Sequence, residues 1–177
     1  MKRFIVAISL SMLTFSLLQA QNNSDVPVTW KKAEACGVIF YLPPDMTAPY
    51  KGELGLDECA EMFQSDTIHL SLETNPFPFG AKKPSITRFD NLAQKSNFRR
   101  AETKIGSRKA VIVSYYESNA EGFNYHSALS IAAKGGFRMF IAMKNAEDQS
   151  TAEKIFRSVV LSGGSRASNN SFNRSAS

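Results

Sequence analysis

The stretch whose reading decides the fold is Lys109 to Lys144, KAVIVSYYESNAEGFNYHSALSIAAKGGFRMFIAMK. Val111, Val113 and Tyr115 share one face of a first alternating run; Tyr125, Leu129 and Ile131 line a second; Phe137, Met139, Ile141 and Met143 line a third. A period of two is what a half-buried strand requires, because successive side chains leave a pleated backbone on opposite faces. Asn119 to Gly122 turns the chain between the first two runs, and Lys134-Gly135-Gly136 between the second and third. The glycine pair supplies the positive φ of a tight hairpin. The stretch therefore reads as three strands in the middle of an antiparallel sheet.

Immediately downstream, Ala152, Ile155, Phe156, Val159 and Val160 follow helical spacing, which predicts a helix over Asp148 to Ser162 whose apolar stripe lies on the sheet. Ser150 and Glu153 have capping-box spacing at its start, and Gly163-Gly164 ends it. Upstream, Ala101 to Ile105 reads as a strand turned into the meander by Gly106-Ser107-Arg108. Ser85 to Ser96 reads as a helix capped by Ser85, with Ile86, Phe89, Leu92 and Ala93 on one face. Asn75-Pro76-Phe77-Pro78-Phe79-Gly80 is a loop, since its prolines exclude helix and central strand; its two phenylalanines are expected to fold back on the core edge.

Earlier still, Ile68, Leu70 and Leu72 alternate with His69, Ser71 and Glu73 as a half-buried strand, after a turn at Gln64 to Thr67. Asp57 to Phe63 fits a strand, and a short helix almost as well. Ala35 to Leu42 reads as one strand stopped by Pro43-Pro44.

The chain ends carry different information. Lys2 and Arg3 precede an apolar run from Phe4 to Leu18 that closes on Gln19-Ala20. This is the pattern of a signal peptide over residues 1–20, shorter than the ~20 apolar residues of a membrane span. Gln21 to Asp25 is polar and expected to fray, and residues 163–177, rich in Ser and Asn, form a tail expected to be disordered. One α+β domain is expected over residues 21–162, exported to the periplasm or secreted, and monomeric. Cys36 and Cys59 are the two cysteines, and an even count in an exported chain favours a disulfide between them.

The formal charge of +5 is less informative than its distribution. Residues 21–81 carry three basic and nine acidic side chains, net −6, including a cluster at Glu53, Asp57, Glu58, Glu61 and Asp66 that lacks calcium-loop spacing. Residues 82–109 carry nine basic (Lys82, Lys83, Arg88, Lys95, Arg99, Arg100, Lys104, Arg108 and Lys109) and two acidic, net +7. Either the two blocks neutralise each other across the fold, or the basic one forms a patch that steers an anionic partner. Export disfavours nucleic acid and leaves an acidic protein surface, anionic lipid or an envelope polymer.

Catalytic signatures are missing: there is no GxGxxG, phosphate loop, HExxH or Gly-x-Ser-x-Gly elbow. His69 and His126 are the only histidines, each on a predicted strand, and a strand-face histidine is more often structural than catalytic. No cofactor or metal is expected, because two cysteines without further ligands at finger spacing make a poor zinc set.

Three segments carry a family resemblance: Val38-Ile39-Phe40-Tyr41-Leu42-Pro43-Pro44, Ile105-Gly106-Ser107-Arg108-Lys109-Ala110, and Ala152-Glu153-Lys154-Ile155-Phe156-Arg157-Ser158-Val159-Val160. In this order, around a hairpin, a helix and a long meander, they resemble the PsbP-like superfamily over about residues 35–162. The resemblance implies an α/β/α sandwich with a central antiparallel sheet and a non-enzymatic binding or accessory role; it transfers no site. The expectation is an exported, non-enzymatic interaction domain that binds an anionic or acidic partner through residues 82–109. The alternative is a small-ligand carrier or hydrolase with a pocket between helix and sheet, using His126 or His69.

Overall fold

A computed structural model describes residues 26–53, 59–74, 86–133 and 136–161, with side chains omitted for 49–53. The leader, the polar stretch 21–25, the loop with Phe77 and Phe79, and the tail lie outside the described residues, as do Asp57, Glu58, Lys82 and Lys83.

The described residues form ten strands and one α-helix: β1 (Lys31–Ala35), β2 (Val38–Leu42), β3 (Thr47–Glu53), β4 (Cys59–Gln64), β5 (Ile68–Thr74), β6 (Ser96–Ile105), β7 (Arg108–Tyr116), β8 (Tyr125–Ile131), β9 (Phe137–Met143), α1 (Gln149–Arg157) and β10 (Val160–Leu161). They form a seven-stranded sheet of order β3-β4-β5-β9-β8-β7-β6 and a three-stranded sheet of order β1-β2-β10. Every pairing is antiparallel. The three runs of the meander are β7, β8 and β9, and Asp57 to Phe63 resolves as strand rather than helix.

Alternation sorts the large sheet into two faces. On one, Leu70, Leu129, Ile131, Met139 and Ile141 pack with Phe40 and Leu42 of the small sheet and with Ala152, Ile155 and Phe156 of α1. These side chains are essentially inaccessible, so the space between helix and sheet is filled. On the other face, Phe89, Val111, Val113 and Ala128 form a second cluster with Ile86, Leu92, Phe98 and Phe140 at its margin. The fold is α+β, with the helix and small sheet on one side of a central antiparallel sheet. Among the described residues no helix is long and apolar enough to cross a membrane.

Five local expectations are corrected. Residues 85–96 do not form a helix: the described part holds only a single 3-10 turn, Asp90–Leu92, after Phe89 at φ 58°. A left-handed residue ends helical geometry, and here it seats the Phe89 ring edge-on against Phe140, centroids 6.0 Å apart. The Thr87 amide donates to Ser130 Oγ at 2.9 Å instead of to a helical carbonyl. The apolar spacing of Ile86, Phe89 and Leu92 thus serves a segment laid over the sheet. From Ser96 onward the chain is already strand, so β6 starts well before Ala101.

Ala35 to Leu42 is two strands, β1 and β2, joined at Cys36-Gly37 with φ 51° and 72°. Positive φ at both central residues is the two-residue hairpin turn whose twist matches its strands. The α1 helix stops at Arg157, and Val160–Leu161 pairs with Ile39 and Val38 as β10. The stop is chemical: Ser158 Oγ donates to Ile155 O at 2.7 Å and accepts the Tyr41 amide at 3.0 Å, tying the helix end to β2. At its start the cap position is Asp148, and Ser150 Oγ donates to Glu147 O at 3.1 Å, so the Ser150–Glu153 box is not formed.

Candidate functional site

The β6–β7 hairpin turns over Gly106-Ser107, and Gly106 has φ 58°. From this two-residue turn the register follows: Ile105 pairs Arg108, Lys104 pairs Lys109, Thr103 pairs Ala110, Glu102 pairs Val111 and Arg100 pairs Val113. Two lysines therefore stand directly opposite each other, an arrangement that destabilises a sheet unless something anionic lies between or above them. Both are exposed, and neither has a carboxylate partner among the described residues.

Arg100, Glu102, Lys104, Lys109 and Val111 share the sheet face that the 86–95 segment covers in part. Ile86 and Arg88 line a groove of about 650 Å³ together with these residues. Its floor includes Val111 and the margin of the second apolar cluster. Arg100 is held by Asp90 at 2.8 Å and by Glu102 at 2.9 Å. Arg88 approaches Asp90 only at 3.7 Å, with both side chains mostly in water, so that contact is weak. The groove is thus lined by one tethered arginine, three looser cations and one carboxylate, Glu102.

The remaining predicted cations lie elsewhere. Lys95 donates to Glu117 Oε1 at 2.5 Å beyond the opposite end of β6, and this hydrogen bond holds the Glu117 carboxyl below its ordinary range. Arg99 pairs Ser114, and Arg108 pairs the buried Ile105, so alternation puts both on the opposite sheet face. Lys82 and Lys83 lie outside the described residues. The structure brings together Arg88, Arg100, Lys104 and Lys109 of the nine.

The histidines occupy the sheet face away from α1, which overturns a helix–sheet pocket as their setting. They share one cross-strand row: His69 pairs Ala142, Ala142 pairs His126, and His126 pairs Tyr115. A hollow of about 110 Å³ lies over this row, with Met62, Ser71 and Phe140 in its walls. His126 stacks on Tyr115 at 4.9 Å, and His69 on Phe123 at 3.9 Å. Burial pushes the His126 imidazole below its usual value, opposed by a hydrogen bond to the Glu117 main chain; burial, then Glu117, pushes the Tyr115 phenol up. His126 Nε2 is buried without a partner. Sequence alone gave no sign of this row, because it depends on the long-range β5–β9 pairing.

Cys36 and Cys59 form a disulfide, Cα atoms 5.3 Å apart, that ties the β1–β2 turn to β4 and so joins the two sheets. Glu61 lies beside the two sulfurs, but sulfurs committed to each other are not thiolate ligands.

No protein-family model matches the chain, and no curated protein matches its sequence. In structure the chain is similar to cyanobacterial PsbP (CyanoP) from Synechocystis sp. PCC 6803, determined in solution, with a TM-score of 0.49 and 10% sequence identity over 77% of this chain and 95% of that one. The likeness brings no partner, ligand or residue role to this chain.

Proposed function

We propose that the protein is an exported interaction domain that binds an anionic partner, without catalysis, through the groove beside the β6–β7 hairpin. The observation that carries this reading is the opposed pair Lys104 and Lys109, exposed, unpaired by carboxylate among the described residues, and lining one groove with Arg88. Like charges held opposite each other disfavour the bare protein and favour an anion-bound one. Both effects raise affinity for a negatively charged partner, and the apolar floor at Ile86 and Val111 adds contact area. The leader-like residues 1–20 and the disulfide support an oxidising, extracytoplasmic setting.

The test is retention on immobilised heparin, a generic polyanion, for Lys104→Glu/Lys109→Glu. The control is Lys32→Glu/Arg157→Glu, which changes net charge equally at two exposed positions away from the groove. The groove variant is expected to elute at markedly lower salt than the control. Equal elution of the two variants would show that retention reflects net charge alone, and the reading would fall.

A further inference from the structure

The groove runs along a sheet edge. β6 ends the seven-stranded sheet, with β7 as its only strand partner among the described residues. The orientation of its main chain follows from the hairpin. A two-residue turn is closed by a hydrogen-bonded pair, here Ile105 and Arg108, and hydrogen-bonded and non-hydrogen-bonded pairs alternate from there. Lys104–Lys109, Glu102–Val111 and Arg100–Val113 are therefore the non-hydrogen-bonded pairs. An independent contact agrees: the Lys109 carbonyl turns away from β6 and accepts the Ala132 amide of the neighbouring segment at 2.8 Å. The amides and carbonyls of Arg100, Glu102 and Lys104 consequently point outward from the sheet, and the side chains of the same three residues line the groove.

Edges are ordinarily blunted against such pairing by proline, bulges or charge. The other edge, β3, has the first two: Pro49 lacks an amide hydrogen, and the register slips between Thr47 and Tyr50. On β6 the bulge lies between Ser96 and Arg99, and from Arg99 to Ile105 the pairing is regular and without proline. Its protection is charge: Arg99, Arg100 and Lys104 against a single Glu102. Such an edge repels a second copy of itself and most basic segments, while leaving the main-chain groups open to a strand of opposite sign.

We infer that the anionic partner is an acidic, extended polypeptide segment that adds to β6 as an eighth strand, its main chain bonded to Arg100, Glu102 and Lys104 and its carboxylates directed at Lys104, Lys109 and Arg88. This rests on the groove reading above and gives it a partner class. Strand addition supplies affinity through main-chain bonds and specificity through alternate side chains; here alternate residues on one face of the added strand meet the cations.

The decisive variant is Glu102→Pro, compared with Glu102→Ala. Both remove the Glu102 carboxylate and its bond to Arg100. Proline additionally deletes an outward amide without touching a β6–β7 ladder bond, a place where sheets tolerate it. The probe is a decapeptide alternating Glu and Thr, measured by titration calorimetry, with heparin retention run in parallel. Glu102→Ala should bind the peptide at least as tightly as the parent. Glu102→Pro should bind it at least tenfold more weakly than Glu102→Ala, while the two variants, each lacking the same carboxylate, should elute from heparin together and no earlier than the parent. On the unaltered protein, peptide addition should slow amide exchange at Arg100, Glu102 and Lys104 and leave Thr103, already bonded to β7, unchanged.

Equal peptide affinity of the two variants, or no added protection at those three amides, would overturn strand addition. Peptide binding abolished by Lys104→Glu/Lys109→Glu would then still leave the groove reading standing. A peptide that binds less tightly than heparin-derived oligosaccharide and gains no amide protection would point to a polymer and refute the polypeptide class.

Discussion

The opposed lysines make a prediction in which stability and binding separate. If Lys104 and Lys109 repel each other across the non-hydrogen-bonded pair, reversing one charge should stabilise the fold, and reversing both should return it to its starting stability. In the non-hydrogen-bonded position the two Cα atoms are about 4.5 Å apart, and the flexible side chains let the ammonium groups splay to roughly 8 Å. Two unit charges at that distance interact by about 0.5 kcal/mol in water, and 0.1 M salt roughly halves this. Because the pair term changes sign in each single variant, a cycle of Lys104→Glu, Lys109→Glu and the double should give a coupling energy near four times the screened value, about 1 kcal/mol. Each single variant should gain about 0.5 kcal/mol, or roughly 1–2 °C in Tm. Contacts to Glu102 and Arg100 cancel in the cycle to the extent that they are independent. The assay is urea unfolding of all four proteins at 0.1 M salt, with the coupling expected to shrink at 1 M. Heparin retention should fall stepwise through the singles to the double even as stability rises and returns. A coupling of zero, or one unaffected by salt, would show that the two side chains do not face each other and would remove the main support of the groove.

Three further outcomes follow from the fold. Reducing the Cys36–Cys59 bond, or replacing both residues by Ser, should cost about 3 kcal/mol in the chain-entropy account of a loop this long, read as a lower urea midpoint with dithiothreitol than without. Phe156→Ala removes a ring with no exposed surface from between helix and sheets and should cost about 4 kcal/mol, whereas Ser158→Ala, which leaves the Tyr41 amide without its acceptor, should cost about 2 kcal/mol; thermal melts decide both. His126 has a folded pKa below its unfolded value, so the unfolded chain binds the proton more readily. Its contribution is whole above the unfolded value of about 6.5 and is lost as pH falls toward the lower folded one. The ring protons should titrate with a midpoint below 6.5 in NMR, and His126→Gln should flatten the decline of Tm between pH 7 and 5.

What could be read in the sequence follows from the range of the interactions involved. The meander was legible because Val111 to Tyr115 and Phe137 to Met143 carry their period of two locally, with turns at Gly122 and Gly136 marking the ends. The Lys104–Lys109 opposition was implicit too: once Gly106-Ser107 is taken as a two-residue turn, the register follows by counting. The hairpin at Cys36-Gly37 was not legible, since Ala35 to Leu42 reads as one apolar run even with Cys36 bonded to Cys59, and the left-handed backbone at Cys36 comes with the pairing of β1 and β2. The helix expected over 85–96 failed for a different reason. The spacing of Ile86, Phe89 and Leu92 is equally that of an irregular segment pressed on a sheet, and Phe89 in a left-handed conformation is a tertiary choice. His69 and His126 are 57 positions apart in the chain and meet in one row only because β5 pairs β9, which no local pattern announces.

The same topology bears on the two fates of the charge blocks. Mutual neutralisation would require the acidic strands and the basic hairpin to be neighbours. The sheet order separates the described acidic strand residues from β6: Glu73 on β5 is four inter-strand spacings away and Glu61 on β4 five, or about 19 and 24 Å at ~4.8 Å each. That is roughly two to three Debye lengths at physiological salt, enough to screen direct attraction between exposed groups to about a tenth or less. The ion pairs agree. Within the basic block the partners are Asp90, Glu102 and Glu117, all from 82–117, and Glu73 of the acidic half pairs instead with Arg138 of β9. Local carboxylates therefore restrain Arg100 and Lys95, and among the described residues none pairs with Lys104 or Lys109. On the reading proposed above, the positive potential at the β6–β7 hairpin is met by an external anion, and its position on a regular, proline-free edge makes a strand the shape of anion that can use both the charge and the main chain.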